Sequence, residues 1–184
     1  APLPNAIPPA DALKRLLDGN ARYAANAPRE RDYSAGRAAR VQGQYPIAAI
    51  LSCADSRVAP ELAFDEGPGD LFVVRVAGNF VTQDLLASLE YGVQFLGVTL
   101  IMVLGHTNCG AVDAAIKVLK TKATLPGHLP DLVTAIKPAV IVAERTQKGD
   151  RADEGRYKRP NPGSTRTAGT AMSAPATPAS KPAI

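Results

Sequence analysis

The sequence predicts an α/β fold of three layers, in which a short parallel β-sheet is flanked by helices. Short apolar runs alternate along the chain with segments whose apolar residues recur at helical spacing, and glycine- or proline-containing turns separate them. Three of the apolar runs are typical of strands and cover residues 47–52, 71–76 and 98–104. Strands that alternate with helices form a parallel sheet, so we expect the strand order 2-1-3.

A leader, one helix and a polar segment precede the first strand. Residues 1–9 are proline-rich and predict a flexible leader. An apolar stripe then predicts a helix that begins at Pro9 and ends near Gly19 and Asn20; its members are Ala12, Leu13, Leu16 and Leu17. Residues 22–43 are polar and predict a surface arm or a pair of short helices. This segment could be exposed to solvent, or it could contact a partner.

Four further helices are predicted between and after the strands. Pro60 stands at an early helical position, and Thr82 can cap a helix that Gly97 stops. Residues 110–120 predict the next helix, and residues 131–144 predict another with a bend at Pro138. We therefore expect one folded domain over residues 10–144, a length that suits a single core.

The composition changes after residue 144. Met172 and Ile184 are the only large aliphatic residues in the last forty, and proline, alanine, threonine, serine and glycine dominate. Such a segment cannot bury enough apolar surface to offset its ordering entropy. We therefore predict that residues 145–184 form a disordered basic tail.

The charge distribution limits the classes of partner. The net charge of +4 arises in the tail, which carries 8 basic and 3 acidic residues, whereas residues 1–144 carry 13 and 14. The high isoelectric point is thus no evidence for nucleic-acid binding by the folded part. No apolar run approaches the roughly 18–20 residues that span a bilayer. The compartment stays open: cytoplasmic, or periplasmic if a signal peptide was removed before Ala1.

Two groups of chemically active residues follow strands one and three. Cys53, Asp55 and Arg57 come directly after the first strand, and His106 and Cys109 come after the third. The carboxyl ends of neighbouring parallel strands share one edge of a sheet, where α/β proteins bind ligands. Thiolate and imidazole ligands favour zinc over magnesium or calcium. We predict one Zn²⁺ per chain, held by Cys53, His106 and Cys109.

The same residues allow two other interpretations. Both cysteines could be buried and inert, or Cys53 and Cys109 could form a disulfide in an oxidising compartment. The spacing His-x-x-Cys is a weak signal when taken alone. Its combination with Cys-x-Asp-x-Arg at the end of another strand favours the metal site.

Asp55 and Arg57 predict a charge pair beside the metal. A nearby guanidinium lowers a carboxyl pKa by roughly 1–3 units and keeps it ionised. Asp55 could then accept a hydrogen bond from a zinc-bound water, or become a fourth ligand and close the site. The alternative is a structural ion pair on the surface.

The motifs together resemble the β-class carbonic anhydrases over residues from about Ala10 to Glu144. The matching blocks are Cys53-x-Asp55-Ser56-Arg57-Val58, Asp70 to Arg75, Ala77-Gly78-Asn79, Ser88 to Tyr91, and Gly105-His106-x-x-Cys109-Gly110-Ala111-Val112. The resemblance implies Cys53, His106 and Cys109 as zinc ligands and Asp55 and Arg57 as a catalytic dyad. It also implies a homodimer or higher homo-oligomer.

The resemblance also places five residues near the substrate. They are Gln44 (from across the dimer), Phe72, Ala77, Tyr91 and Gly110. His128 matches no ligand position and is predicted to be a loop residue.

The activity implied by the resemblance is reversible hydration of CO₂ to bicarbonate and a proton through zinc-bound hydroxide. Relatives that hydrolyse CS₂ or COS on the same scaffold provide an alternative. Another alternative is a non-catalytic module stabilised by zinc. The family continues with a further helix and two more strands, which nothing after Arg145 resembles, so we expect the zinc domain to be C-terminally incomplete.

Overall fold

A computed structural model describes residues 5–152 and 172–174 of the chain. In these residues the helices are α1 (Pro9–Ala24), α2 (Tyr33–Ala39), α3 (Pro60–Ala63), α4 (Gln83–Leu96), α5 (Gly110–Thr121) and α6 (Leu129–Ala152). The strands are β1 (Ala48–Ser52), β2 (Leu71–Arg75), β3 (Ile101–His106) and β4 (Met172–Ala174). The described residues form two compact units, one that contains residues 5–107 and 172–174 and one that contains residues 108–152.

The sheet lies in the first unit and is parallel, with the strand order β2-β1-β3-β4. The predicted order 2-1-3 is therefore confirmed for the three longer strands. Ile50 in β1 is paired with Val73 on one side and Met102 on the other. All five residues of β1 are buried, as expected of a central strand covered on both faces.

Alternate residues of β1 supply two separate apolar cores. Ala48 and Ile50 belong to the first core, which also contains Leu16 of α1 and Phe64 after α3. The second core is built around α4; its members are Ala49, Leu51, Val74, Leu89, Leu96 and Val98. Side chains alternate between the faces of a strand, so helices cover both faces of β1 and the three-layer prediction is confirmed.

Helix α1 continues past the residues at which the sequence predicted its end. Gly19 is buried inside the helix, and a Cβ built on it would lie 1.7 Å from the main-chain oxygen of Phe64. The side-chain amide of Asn20 donates to the carbonyl oxygen of Ala63 at 2.9 Å. Gly19 is thus a close-contact residue within the helix, and its presence does not mark a terminus.

The polar segment before β1 folds back onto the loop after α3. Arg22 bonds Asp65 at 2.5 Å, and Arg31 donates to both the carboxylate and the carbonyl oxygen of the same aspartate. Burial raises the pKa of Asp65, but the hydrogen bond from Arg22 and those from the neighbouring arginines outweigh it and hold the pKa below its ordinary value. Part of the predicted surface arm therefore satisfies a buried carboxylate, and only the short helix α2 forms within it.

The last residues of the predicted leader form hydrogen bonds with the rest of the first unit, and the flexibility of the leader stays a prediction. Asn5 is buried, and its side-chain amide donates to the carbonyl oxygens of Pro46 at 2.5 Å and Leu96 at 2.7 Å. Thr99 also donates to the carbonyl oxygen of Ile7 at 2.6 Å. These side-chain bonds anchor an extended segment that has no apolar pattern. Residues 1–4 lie outside the described part.

The second unit contains α5 and α6, which pack against each other. Val133, Ile136 and Val140 of α6 are buried at helical spacing, and Ala115 of α5 is fully buried. Pro138 lies inside α6, as predicted. None of the helices within residues 5–152 combines the length and the hydropathy needed to cross a bilayer.

Two described elements reach into residues 145–184, and the disorder predicted for this segment stays a prediction. Helix α6 continues to Ala152, and its last turns contain good helix formers such as glutamate, arginine, glutamine and lysine. Strand β4 pairs with the edge of β3 through main-chain hydrogen bonds. The rest of the predicted tail lies outside the described residues.

Candidate metal centre

The first ligand group begins where β1 ends. Cys53 directly follows the last residue of β1 and is 4% exposed. The amide of Gly78, in the turn after β2, donates to the Cys53 sulfur at 3.3 Å. Gly78 has a φ of 86°, a left-handed conformation that glycine adopts without strain. A main-chain donor thus points at the sulfur and favours its thiolate form.

The second ligand group begins at the end of β3. His106 is the last residue of this strand, two residues later than the predicted strand end, and its side chain is 5% exposed. Cys109 follows three residues later as the N-terminal cap of α5 and is 8% exposed. The ligand atoms of Cys53, His106 and Cys109 all lie within 4.8 Å of one another. The three predicted ligands are therefore brought together.

The imidazole of His106 shows that this cluster suits a metal ion. Its Nδ1 lies 2.9 Å from the carbonyl oxygen of Thr107, which can only accept, so Nδ1 carries the proton. Nε2 is then an acceptor, yet it is buried and has no hydrogen-bond partner among the described residues. A buried polar atom without a partner costs about 1–3 kcal/mol. A metal ion would satisfy Nε2, and metal-bound histidines commonly donate their other nitrogen to a carbonyl in this way.

The chemistry of the donors favours zinc. Two sulfur atoms and one imidazole nitrogen form a soft ligand set with room for a fourth ligand. No disulfide joins Cys53 to Cys109, so that alternative is not the state described. The geometry of the three residues fits a zinc centre.

Asp55 and Arg57 form the predicted pair. The Arg57 side chain donates to Asp55 Oδ1 at 2.9 Å and to Oδ2 at 2.7 Å, and its main-chain amide donates to Oδ1 at 2.9 Å. These bonds, first from the guanidinium and then from the amide, hold the pKa of Asp55 well below its usual range, with a smaller contribution from His106. Asp55 is therefore ionised at neutral pH and acts only as an acceptor.

Arg75 is a site residue that the sequence reasoning missed. Its Nε donates to the carbonyl oxygen of Cys53 at 2.9 Å, and its Nη2 donates to those of Asp55 at 2.8 Å and Val58 at 2.9 Å. Arg75 ends β2 and is paired in register with Ser52, the residue before Cys53. The sequence contains one signal for this role: Arg75 is a charged residue at the end of an apolar strand, and that strand neighbours β1, which Cys53 follows.

The five residues predicted near the substrate occupy different surroundings. Ala77 precedes Gly78 in the turn that contacts Cys53, and Gly110 follows Cys109 as the first residue of α5. Phe72 packs against the second core, and its ring centroid lies 6.3 Å from that of Tyr91. Gln44 is exposed in the loop before β1. Their roles in substrate binding stay predictions. His128 lies in the turn before α6, as predicted for a loop residue.

Comparisons with known proteins agree with this geometry. A family model described as carbonic anhydrase matches residues 48–162. This match extends beyond Glu144. The chain is 46% identical over 145 residues to carbonic anhydrase 2 of Mycobacterium tuberculosis, covering 78% of this chain and 69% of that one. It is 42% identical over 144 residues to a carbonic anhydrase of Mycolicibacterium smegmatis, with the same coverage of 78% and 69%. The solved β-carbonic anhydrase CcaA has a TM-score of 0.54 at 29% identity, covering 78% of this chain and 69% of that one.

Proposed function

Because the chain belongs to the β-class carbonic anhydrase family, we propose that it hydrates CO₂ reversibly at one zinc ion bound by Cys53, His106 and Cys109. The observation that carries the proposal is the buried Nε2 of His106, which lacks a hydrogen-bond partner among the described residues. His106 also contributes a ligand atom to the cluster with Cys53 and Cys109, whose ligand atoms all lie within 4.8 Å of one another. When bound there, zinc supplies hydroxide at neutral pH by lowering the pKa of a coordinated water. The remaining steps depend on residues of the chain.

Asp55 orients the nucleophile. Its Oδ2 lies 3.8 Å from His106 Nε2, which places an ionised carboxylate beside the ligand cluster. A carboxylate that can only accept fixes the direction of a water proton and turns a lone pair of that oxygen toward the substrate carbon. Arg57 prevents Asp55 from taking up the proton itself, because it holds the pKa of the carboxyl low.

The hydrogen bond from Gly78 reduces the electron donation of the Cys53 sulfur. Two thiolates and a neutral imidazole donate strongly and leave the site formally neutral. An amide that donates to the Cys53 sulfur at 3.3 Å withdraws part of this charge. The site thereby keeps a metal that can still activate water.

CO₂ is small and apolar, so its pocket needs only to be a small cavity with apolar walls. We assign the walls to Phe72, Ala77, Tyr91 and Gly110. Gln44 is exposed, as required of a side chain that reaches the site of a second subunit. The product bicarbonate is anionic and can be held by amide donors such as the side chain of Gln44.

Exposed apolar side chains support a homo-oligomer. On α4, Phe95 is 70% exposed and its ring centroid lies 5.3 Å from that of Tyr91, and Val93 is 44% exposed. On β3, Ile101 and Val103 are 46% and 37% exposed, although the paired residues of β1 are buried. Apolar surface of this kind marks a contact with another protein, here a second copy of the chain.

Stopped-flow CO₂ hydration by protein of known zinc content tests the proposal. We expect one zinc per chain and a rate that rises with pH between about 6.5 and 9 as the nucleophile forms. Protein with one zinc per chain and no hydration at any pH would show a non-catalytic zinc module. Hydrolysis of CS₂ or COS in the absence of CO₂ hydration would replace the proposed substrate.

A further inference from the structure

We propose that Arg75 is a positioning residue that fixes the turn of residues 53–58 by binding three of its main-chain carbonyls. The proposal rests on the proposed function, because this turn carries the ligand Cys53 and the dyad of Asp55 and Arg57. Its basis is one guanidinium whose three hydrogen bonds are all between 2.8 and 2.9 Å.

The three acceptor carbonyls lie at the beginning, in the middle and at the end of the turn. The first carbonyl belongs to Cys53, the second to Asp55, and the third to Val58 where the turn ends. Arg75 stands at the end of β2, whose neighbour is β1. The guanidinium therefore links the metal-binding turn directly to the sheet.

The bonds between the two members of the dyad lie within the turn. Arg57 donates to Asp55 from two residues away, through both its main chain and its side chain. These bonds fix the two residues relative to each other, whereas the position of the turn on the sheet is fixed by bonds to the neighbouring strand. The bonds from Arg75, together with the Ala54 amide donating to the Val76 carbonyl oxygen at 3.2 Å, hold the turn in place.

The role of Arg75 concerns geometry more than stability. Arg75 is exposed, so water can replace its bonds to the three carbonyls when it is removed. Water cannot hold all three oxygens in one fixed arrangement. We therefore expect large effects on catalysis and on zinc retention, with a small effect on unfolding.

Only arginine can make this set of contacts from this position. A guanidinium is planar and offers five donors in a rigid fork, whereas the ammonium of lysine is a single point of charge. Arg75→Lys keeps the charge and loses the simultaneous contacts. The two substitutions Arg75→Lys and Arg75→Ala therefore separate the geometric role from a purely electrostatic one.

The experiment compares Arg75→Lys, Arg75→Ala and a control, Arg37→Ala, which removes an exposed arginine on α2. The measurements are the rate of zinc release to a chromophoric chelator, kcat and KM for CO₂ hydration, and the midpoint of thermal unfolding without metal. We expect both Arg75 variants to lose about 10–100-fold in kcat and to release zinc about 10–100-fold faster, as for residues that support metal ligands. Their unfolding midpoints should remain close to that of Arg37→Ala, and added guanidinium ion should restore part of kcat in Arg75→Ala only.

Two results would overturn the inference. One is wild-type kcat and zinc release in Arg75→Lys, and the other is a loss of activity that follows a matching loss of the folded state in both variants. An inactive wild-type protein would defeat the proposed function alone, because faster zinc release by the Arg75 variants would still support the positioning role.

Discussion

The Nε2 atom of His106 lies 3.8 Å from Oδ2 of Asp55. This separation is too long for a hydrogen bond. His106 instead contributes a ligand atom to the cluster that it forms with the sulfurs of Cys53 and Cys109. Both carboxylate oxygens of Asp55 accept from Arg57. The described state therefore has the dyad formed and Asp55 beside the ligands.

Replacing Cys53 by serine should remove both the metal and the activity. A hydroxyl is a poor zinc ligand compared with a thiolate, and the remaining histidine and cysteine cannot hold the ion tightly. Zinc content by atomic emission should fall far below one per chain. Ser56→Ala, an exposed change in the same turn, is the control and should retain full zinc. Full zinc in Cys53→Ser would remove Cys53 from the ligand set.

Replacing Asp55 by asparagine should leave the metal in place and reduce kcat. Asparagine cannot supply the ionised acceptor that orients the nucleophile, and a misplaced reacting group costs about 10²-fold in rate. Zinc content and stopped-flow rates should be measured on the same sample. A loss of zinc together with activity would instead identify Asp55 as an obligatory ligand.

The pairing of Asp55 with Arg57 also predicts how stability depends on pH. The pKa of Asp55 is lower in the folded protein than in the unfolded chain, where an aspartate titrates near about 3.9. The pair therefore stabilises the fold above that value, and its contribution is lost as the pH falls through the folded pKa. The difference in unfolding free energy between wild type and Asp55→Asn, each without metal, should be constant from pH 5 to 8 and shrink below about pH 4. A difference that instead vanished near neutral pH would contradict this assignment.

Gly19→Ala should destabilise the protein strongly. The added Cβ would lie 1.7 Å from the carbonyl oxygen of Phe64, which is main chain and can move only if α1 separates from the loop after α3. Overpacking of this kind costs about 1–3 kcal/mol and at times more. The control is Gly36→Ala in α2, where the new Cβ would meet the flexible end of Arg40 at 3.1 Å and alanine favours the helix. Equal urea midpoints for the two variants would contradict the close contact.

The sequence was sufficient to predict three strands of the sheet and the cluster of Cys53, His106 and Cys109, because both follow from short local patterns. Ile47 to Leu51 is an apolar run of strand length, and Cys53 directly follows it. His106 and Cys109 occupy the equivalent place after β3, and the strand order then requires the two groups to meet. Local pattern and topology together were enough to place these three residues.

Features that depend on contacts between distant residues could not be predicted. Glycine is typical of a helix end. Gly19 instead lies within α1, and the reason is its close contact with the main chain of Phe64. Asn5 sits in a proline-rich segment, and its two carbonyl acceptors are 41 and 91 residues away. Arg75 acts on main-chain oxygens, which carry no signature in the sequence.

The central claim is that Cys53, His106 and Cys109 bind one zinc ion at the catalytic site. X-ray absorption at the zinc edge of the purified protein tests it most directly. We predict two sulfur neighbours at about 2.3 Å and one imidazole nitrogen at about 2.0–2.1 Å, with a light-atom fourth ligand. A zinc environment of oxygen and nitrogen atoms only, with no sulfur neighbours, would contradict the account.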